Sequence, residues 1–472
     1  MTKLTAIQPE DVLEALRLWH GREVTHWPLA HLRLRLLLMN QEEKHGSLAE
    51  TGPAAQNRTI LDYGLTQLKS RLPEAEDLLR DRFEHRQDVL SVANRLNISE
   101  SSLFYRQRQA VNSLTEILLT LEENAGAEWR QQMLSRLPLP SYNHLVGIEK
   151  PYQAIINALL NQNDHFILAI DGIGGIGKTT LADKLTRDII AAMKFDEVAW
   201  VTAKHTHLST LGRLQIESGR SALTFPMLSE RLATQFELPQ QETHLQRQRL
   251  VGQHLKNRQC MIIIDNLETA ADYHSLLPEL KKWQKPSKFL LTSRLRLLDE
   301  PGVFSTSLQE LTEPDALRLI RMEAKMSGFA SLAAAEEKDL QKIYKAVGGN
   351  PLALKLVIGQ LRFQSLHRVL QRFARSAEQS SQEGIFDYIY QEIWEDLQNE
   401  SKVTLLALTQ AGESGFTFDH LFEISGLSET SLSQALEQLI LLSLVDLSGT
   451  LTERRYRLHR LTEVFLLRSF AK

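Results

Sequence analysis

Hydrophobic residues follow two different patterns along this chain, and the change comes near residue 137. Over residues 1–136 they recur at the spacing of amphipathic helices, as in Leu13 and Leu16, with charged residues between them. Leu137-Pro-Leu-Pro140 ends this pattern and predicts a linker, because proline cannot continue a helix. Beyond it, short apolar runs alternate with helical segments, which is typical of a parallel sheet covered by helices. The runs that predict strands are 166–170, 195–201, 260–264 and 288–294.

Length and composition indicate an ordinary soluble protein of several domains. At about 150 residues per domain, the 472 residues predict about three. The net charge of −4 gives no overall attraction to nucleic acid, so such binding would need a local basic patch. The single cysteine, Cys260, cannot form an internal disulfide. Residues 1–12 lack an apolar signal core and no segment is apolar enough to span a membrane, so a cytoplasmic protein without membrane contact is expected.

The stretch Asp171-Gly-Ile-Gly-Gly-Ile-Gly-Lys-Thr-Thr-Leu181 carries the clearest chemical signal. It fits G-x-x-x-x-G-K-[ST], the pattern of a phosphate-binding loop, and lies between a predicted strand and a predicted helix, as that loop requires. Glycines let backbone N–H groups surround a polyphosphate, and the start of the helix adds the positive end of a dipole. Lys178 is expected to reach the β- and γ-phosphates, and the Thr179 hydroxyl to bind Mg²⁺. A glycine-rich turn without a ligand is the alternative.

Two later strand ends supply further candidates for a nucleotide site. Asp265 follows the apolar run 260–264, where it would hold Mg²⁺ directly or through water, or alternatively cap a core strand. Glu268 could polarise the attacking water or lie in a solvated loop. Arg294 ends the run 288–294, where it could sense a γ-phosphate or form a surface salt bridge.

Residues 75–115 predict a helix-turn-helix-like segment within the N-terminal region. The run from Val92 through Asn97-Ile98-Ser99 to Leu103 resembles the DNA-reading unit of sigma factors, their region 4, and of related response regulators. Acidic residues interleave with the arginines here, and phosphate neutralisation supplies much of DNA affinity, so a protein–protein module explains the same pattern. The resemblance implies that the last helix enters the major groove, which makes Ser101, Ser102, Tyr105, Arg106 and Arg108 the candidate readers.

The order of motifs over residues 145–472 resembles the NB-ARC class of STAND ATPases. The motifs are Val146-Gly147, the phosphate-binding loop, Trp200-Val201, Asp265-Asn266, Thr292-Ser293-Arg294, Gly349-Asn-Pro351-Leu352 and Leu458-His459-Arg460. The resemblance implies that Pro351 and His459 contact bound ADP, although Arg460 stands where that family has an acidic residue. The predicted nucleotide-binding residues are Val146, Gly147, Gly172, Gly174, Gly175, Ile176, Gly177, Lys178, Thr179, Thr180, Pro351 and His459, with Thr179 and Asp265 on Mg²⁺.

The expected architecture is a multi-domain protein. Residues 1–136 are expected to form an all-α domain, and 137–305 an α/β P-loop NTPase domain with a parallel sheet. The resemblance implies a small helical domain over 306–390 and a winged helix over 391–472. Apolar spacing over 405–458 independently predicts three helices followed by two strands, the order of elements in a winged helix.

These features point to a switch controlled by ATP and ADP that hydrolyses ATP slowly and self-associates in its ATP state. The switch would act in bacterial regulation or defence through its N-terminal domain, by binding DNA or by recruiting an effector, with a separate sensor or effector protein as partner. An AAA+-like motor or loader acting on nucleic acid is one alternative, although Asn266 stands where that class needs a catalytic glutamate. A scaffold that binds nucleotide only for stability is the other.

Overall fold

The computed structural model describes residues 7–21, 27–44, 52–140, 142, 144–161, 164–203, 223–267, 270–293, 300–377, 393–394, 397–411, 415–442, 444–450, 453–458, 462 and 465–466. The chain divides into two compact units. One comprises Met1–Ser135 with Ile190–Asp196, and the other Arg136–Ile189 with Glu197–Lys472. The finer boundaries expected at 305 and 390 stay predictions.

The first unit is helical over its described residues, which confirms the expectation from hydrophobic spacing. Its helices are α1 Pro9–Arg17, α2 Leu34–Lys44, α3 Pro53–Arg71, α4 Pro73–Leu79, α5 Val89–Leu96 and α6 Glu100–Ser135, with a π-helix at Arg80–Glu84. The long α6 contributes Leu103, Leu114 and Leu118 to the core of the unit. Its Glu122 carboxylate accepts the backbone N–H groups of Arg33 and Leu34, each at 2.9 Å, and so caps the start of α2.

The connection between α5 and α6 adopts the predicted turn. Asp88 caps α5 by accepting the Ser91 N–H at 2.9 Å, and Asn97 ends that helix in the left-handed region at φ 57°. Ser99 Oγ then accepts the N–H of Ser102 at 3.2 Å and caps α6. The two helices and their turn therefore lie where the sequence predicts, whereas their use in reading DNA stays a prediction.

A parallel five-stranded sheet organises the second unit, in the order β2-β3-β4-β1-β5. The strands are β1 Ile167–Asp171, β2 Glu197–Thr202, β3 Cys260–Leu267, β4 Lys288–Ser293 and β5 Val303–Ser307. β1, β3 and β4 are buried along their whole length, as their apolar runs predict. Because β4 lies between β1 and β3, the carboxyl ends of these three strands open side by side at one edge of the sheet.

Helices flank this sheet, and one buried lysine ties the first of them to it. The helices are α7 Glu149–Leu160, α8 Lys178–Ala191, α9 Phe225–Gln235, α10 His244–Asn257 and α11 Ala270–Trp283. Lys288 Nζ donates to the carbonyl oxygens of Ala158 at 2.8 Å, Asn161 at 2.5 Å and Asp164 at 2.9 Å, around the end of α7. Burial lowers the pKa of Lys288 to about 8, with the charge of Asp164 opposing that shift.

The elements that follow the sheet, up to the C-terminal hairpin, share one hydrophobic core. They are α12 Glu313–Met326, α13 Ala330–Ala333, α14 Glu337–Val347, α15 Pro351–Gln360, α16 Leu366–Ala377, α17 Asn399–Leu408, α18 Phe418–Ser425 and α19 Glu429–Leu441, and the antiparallel hairpin β6 Val445–Gly449 with β7 Arg454–Leu458 comes last. Three helices followed by a hairpin is the expected order, and the winged-helix assignment itself stays a prediction. Among the described residues, no helix combines the length and the apolar character that crossing a membrane requires.

Candidate functional site

A tight glycine loop leads from β1 into α8, as the sequence predicts. Gly172, Gly175 and Gly177 have φ angles of 147°, 72° and 104°, a region that residues with a Cβ atom rarely adopt. A Cβ atom at Gly172 would lie 3.0 Å from the Leu308 carbonyl oxygen, and one at Gly175 would lie 2.8 Å from the Leu352 Cβ. The positive φ angles and these close neighbours thus favour glycine, and such a loop presents backbone N–H groups to an anion.

Lys178 brings a positive charge to this loop. Its Nζ donates to the carbonyl oxygens of Gly172 and Ile173 at 2.7 and 2.8 Å, and the residue is 8% exposed. Lys178 is also the first residue of α8, where the helix dipole is positive. A buried ammonium group, a helix N-terminus and a glycine loop together suit a polyphosphate, which is the group predicted here.

Asp265 lies beside the loop at the end of β3 and is 6% exposed. Its Oδ1 accepts the hydroxyl groups of Thr179 at 2.8 Å and Thr292 at 2.6 Å. A carboxylate and a hydroxyl oxygen at this distance are ligands that Mg²⁺ takes next to a phosphate, so the two predicted metal ligands fit that ion. Thr292 was not among the predicted site residues, and its position at the end of a buried strand was the signal that pointed to it.

Asn266, directly after Asp265, has a constrained backbone. Its φ angle is 76°, and its N–H donates to Thr292 Oγ1 at 2.8 Å. The pairing of β3 with β4 is irregular at this point, between Ile264 and Leu267. Asparagine tolerates the left-handed region better than glutamate does, so this geometry suits the residue present.

Two segments from outside the sheet carry the predicted Val146-Gly147 and Asn350-Pro351 motifs. Gly147, at φ 71°, packs against the start of α12, since a Cβ atom there would lie 2.6 Å from Leu311 Cδ2. On another side, the Asn350 side chain donates from Nδ2 to the carbonyl oxygen of Gly174 at 2.9 Å. Pro351 follows as the first residue of α15. The structure therefore places Asn350 at the phosphate-binding loop and Gly147 against Leu311, next to the start of α12.

Three predicted site residues, Glu268, Arg294 and His459, lie outside the described residues, and their roles stay predictions. Others are placed by the structure at or next to the loop: Ile176 is buried, and Thr180 lies in the first turn of α8. The sequence did not predict the hydrogen bonds that join the start of the loop to β5. The buried carboxylate of Asp171 accepts the Ser305 hydroxyl at 2.5 Å and the Ser307 hydroxyl, both on β5. No pattern in the sequence connects these residues.

A buried charge cluster, also missed, lies at the opposite edge of the sheet, where β2 begins. Glu197 accepts from His254 at 2.9 Å and from Arg258 at 2.8 Å through Oε1, and pairs with Arg136 at 3.1 Å through Oε2. Burial alone would raise the pKa of Glu197, but the His254 hydrogen bond and the neighbouring positive charges outweigh it and lower the pKa to about 2. The cluster joins the start of β2 to the end of α10 and to Arg136.

Comparison with known families identifies the domain that carries this site. Residues 148–327 match the model of the NB-ARC domain. This part of the chain is an NB-ARC domain. The match includes the phosphate-binding loop, Asp265 and the start of α12, and it agrees with the motif order in the sequence.

Proteins similar to this chain include disease-resistance proteins of Arabidopsis thaliana. A putative disease resistance protein is 22% identical over 342 residues, which is 66% of this chain and 35% of the relative. A putative disease resistance RPP13-like protein is 26% identical over 285 residues, 57% of this chain and 32% of the relative. A crystal structure of a STAND protein with a tetratricopeptide repeat sensor from Pyrococcus horikoshii is 19% identical, with a TM-score of 0.43, over 71% of this chain and 44% of that one. The chain spans about a third of the length of the curated relatives it matches.

Proposed function

We propose that this protein is a nucleotide-controlled signalling switch of the STAND type, in which ADP holds the resting state and ATP permits self-association. The observation that carries the proposal is the direct hydrogen bond from Asn350, at the start of α15, to Gly174 of the phosphate-binding loop. A nucleotide in that loop would bind where the sheet meets the helices that follow it. It could therefore favour one arrangement of these elements over another, which is the requirement for a switch.

Slow hydrolysis fits the residues around Asp265. A fast ATPase needs a group that activates the attacking water next to the metal site. The neighbour of Asp265 is Asn266, whose amide is no base and whose backbone is fixed at φ 76°. We propose that hydrolysis resets the switch and does not drive a motor, with Arg294 and His459 as the groups that distinguish ATP from ADP.

The output is proposed to pass through the helical N-terminal unit, in a defence or regulatory response. On α6, Phe104 is 52% exposed and Tyr105 is 64% exposed, and Leu90 on α5 is also exposed. Exposed aromatic and apolar side chains are common at protein interfaces, so we favour an effector protein over DNA as the partner. A gel-shift titration of the full chain over a range of salt concentrations tests the DNA alternative, because specific binding persists at salt concentrations where charge-driven binding fades.

The direct test of the switch is to extract and identify the nucleotide that copurifies with the protein, and to measure self-association with ADP and with ATP. Co-purified ADP, turnover below about one per minute against the median enzyme of about ten per second, and ATP-dependent self-association support the proposal. Lys178→Ala should abolish nucleotide binding. Lys184→Ala, in the same helix and paired with Asp188 at 2.6 Å, is the matched control that should retain it. Rapid turnover stimulated by DNA would instead identify a motor, and nucleotide binding without any effect on self-association would identify a scaffold.

A further inference from the structure

Asn350 makes three hydrogen bonds that join the phosphate-binding loop to α15. Its Oδ1 accepts the N–H groups of Leu352 at 3.0 Å and Ala353 at 3.3 Å, which caps that helix. These two donors fix the orientation of the amide, so that its NH₂ group is directed to the Gly174 carbonyl oxygen, 2.9 Å away. The side chain is 3% exposed, which protects all three bonds from water.

The backbone that carries Asn350 is itself held in place. The Leu311 N–H donates to the carbonyl oxygen of Gly349 at 2.9 Å, and a Cβ atom at position 349 would lie 2.1 Å from the Leu311 carbonyl oxygen. The Gly349 N–H donates in turn to Glu310 Oε2 at 3.1 Å. Asn350 therefore cannot move away from Gly174 without breaking contacts to the segment before α12.

The hydrogen bond to Gly174 has a consequence on the other side of the same peptide group. A trans peptide is planar, and its C=O and N–H point in opposite directions. Holding the Gly174 carbonyl towards Asn350 therefore directs the Gly175 N–H away from α15. Gly175 has φ 72°, the left-handed conformation that lets neighbouring N–H groups converge on an anion.

We infer that Asn350 is a positioning residue for phosphate binding, which acts without touching the nucleotide by fixing the orientation of the Gly174–Gly175 peptide. The inference rests on the proposed nucleotide site. Linkage makes the effect reciprocal: a phosphate that binds the Gly175 N–H stabilises the contact of α15 with the loop by the same free energy. The N-terminus of α15 thereby senses the occupancy of the phosphate site.

Asn350→Asp separates this role from helix capping. Aspartate still accepts the N–H groups of Leu352 and Ala353, so α15 stays capped. It has no donor for Gly174, and its second oxygen repels that carbonyl. With a net value of about 1–1.5 kcal/mol for one hydrogen bond, ADP and ATP should bind about five- to tenfold more weakly in calorimetry of the full chain. Asn350→Ser, which caps but is too short to reach Gly174, should show the same direction and serves if the aspartate variant does not fold.

Hydrogen exchange supplies a readout that a purely structural role would not change. In the wild type, saturating ADP should slow exchange at the start of α15, over 352–355, as well as in the loop. In Asn350→Asp, the protection of α15 should disappear while protection of the loop remains. Ser428→Ala is the capping control, because Ser428 Oγ caps α19 by accepting the Ser431 N–H at 3.2 Å; it should lower the melting temperature without changing either readout.

The outcomes separate this inference from the proposed function. A wild-type protein that binds neither ADP nor ATP would contradict the proposed function itself. Nucleotide binding that is lost in Lys178→Ala but unchanged within twofold in Asn350→Asp would leave the site standing and refute the role of Asn350. Equal losses of melting temperature in the Asn350 and Ser428 variants, with wild-type affinity in both, would show that Asn350 only caps a helix.

Discussion

Replacing Glu197 by glutamine tests whether the buried charge cluster stabilises the NB-ARC domain. The carboxylate of Glu197 is bonded to His254, Arg258 and Arg136. Glutamine has nearly the same shape, so the change removes the charge and leaves the volume unchanged. The two buried arginines would then lose the negative charge of Glu197.

The loss of stability expected from this substitution follows from the pKa shift and, separately, from the usual effect of breaking a buried ion pair. The pKa of Glu197 is lowered from 4.5 to about 2, and at 1.36 kcal/mol per unit this corresponds to about 3 kcal/mol of stability. Removing one partner of a buried ion pair typically costs about 3–5 kcal/mol. We therefore expect Glu197→Gln to lower the free energy of unfolding by about 3 kcal/mol at pH 7.

The pH dependence provides a second check. Because the folded pKa lies below the unfolded one, the contribution of Glu197 is complete above pH 4.5 and is lost as the pH falls towards 2. Urea denaturation, monitored by hydrogen exchange of β2 and β3, should show that the difference in unfolding free energy between wild type and variant becomes smaller over this range. Glu279→Gln, which removes an exposed pair with Lys282, is the control and should change stability by less than about 0.5 kcal/mol. A difference in unfolding free energy below about 1 kcal/mol at pH 7, or one that is unchanged at pH 2, would refute a stabilising role for the charge of Glu197.

Three further substitutions test other parts of the structure. Asp265→Asn keeps an acceptor for the two threonine hydroxyls and should leave apo stability within about 1 kcal/mol, while calorimetry should show that Mg²⁺ no longer strengthens ATP binding; retained Mg²⁺ dependence would contradict its role as a ligand. Lys288→Met leaves the carbonyls around the end of α7 without their donor and should lower the free energy of unfolding by about 1–3 kcal/mol at pH 7. Burial lowers the pKa of Lys288 from 10.5 to about 8 in the folded wild type. The wild type should therefore gain stability relative to this variant as the pH rises from 8 to 10.5. Glu122→Ala removes the cap of α2 and should cost about 1–2 kcal/mol in denaturation, and an unchanged midpoint would show that water replaces it.

The features predicted most accurately from the sequence are those that depend on a few consecutive residues. The glycine loop between strand and helix is specified by eight consecutive positions of one pattern, and the structure has it between β1 and α8. The turn at Asn97 could be predicted because asparagine, followed by a capping serine, marks a helix end and a helix start within a few residues. The buried strands could be predicted because a strand covered on both faces is apolar at every position.

Contacts between distant residues could not be predicted from pattern. Thr179 and Asp265 are 86 positions apart, and Asn350 and Gly174 are 176 apart. Whether such residues meet depends on strand order, and the position of β4 between β1 and β3 is what brings Thr292 to Asp265. The motif order indicated that Pro351 belongs near the nucleotide, but it did not predict that the side-chain amide of Asn350 contacts the phosphate-binding loop. Glu197 gave no signal at all, because its three partners lie 57 to 61 positions away from it along the chain.

The size of the Asn350 effect limits what it can do in the switch. Moving a two-state equilibrium from 1:99 to 99:1 takes about 5.5 kcal/mol of differential binding, whereas one hydrogen bond contributes about 1–1.5 kcal/mol. Because Asn350 strengthens the binding of ADP and ATP alike, the discrimination between the two nucleotides must come from groups that contact one of them only, the role proposed for Arg294 and His459. Asn350→Asp should therefore shift ATP-dependent self-association to about tenfold higher ATP and preserve its full extent at saturation. If saturating ATP produced no self-association in this variant, the contact between α15 and the phosphate-binding loop would be required for switching, and Asn350 would do more than raise nucleotide affinity.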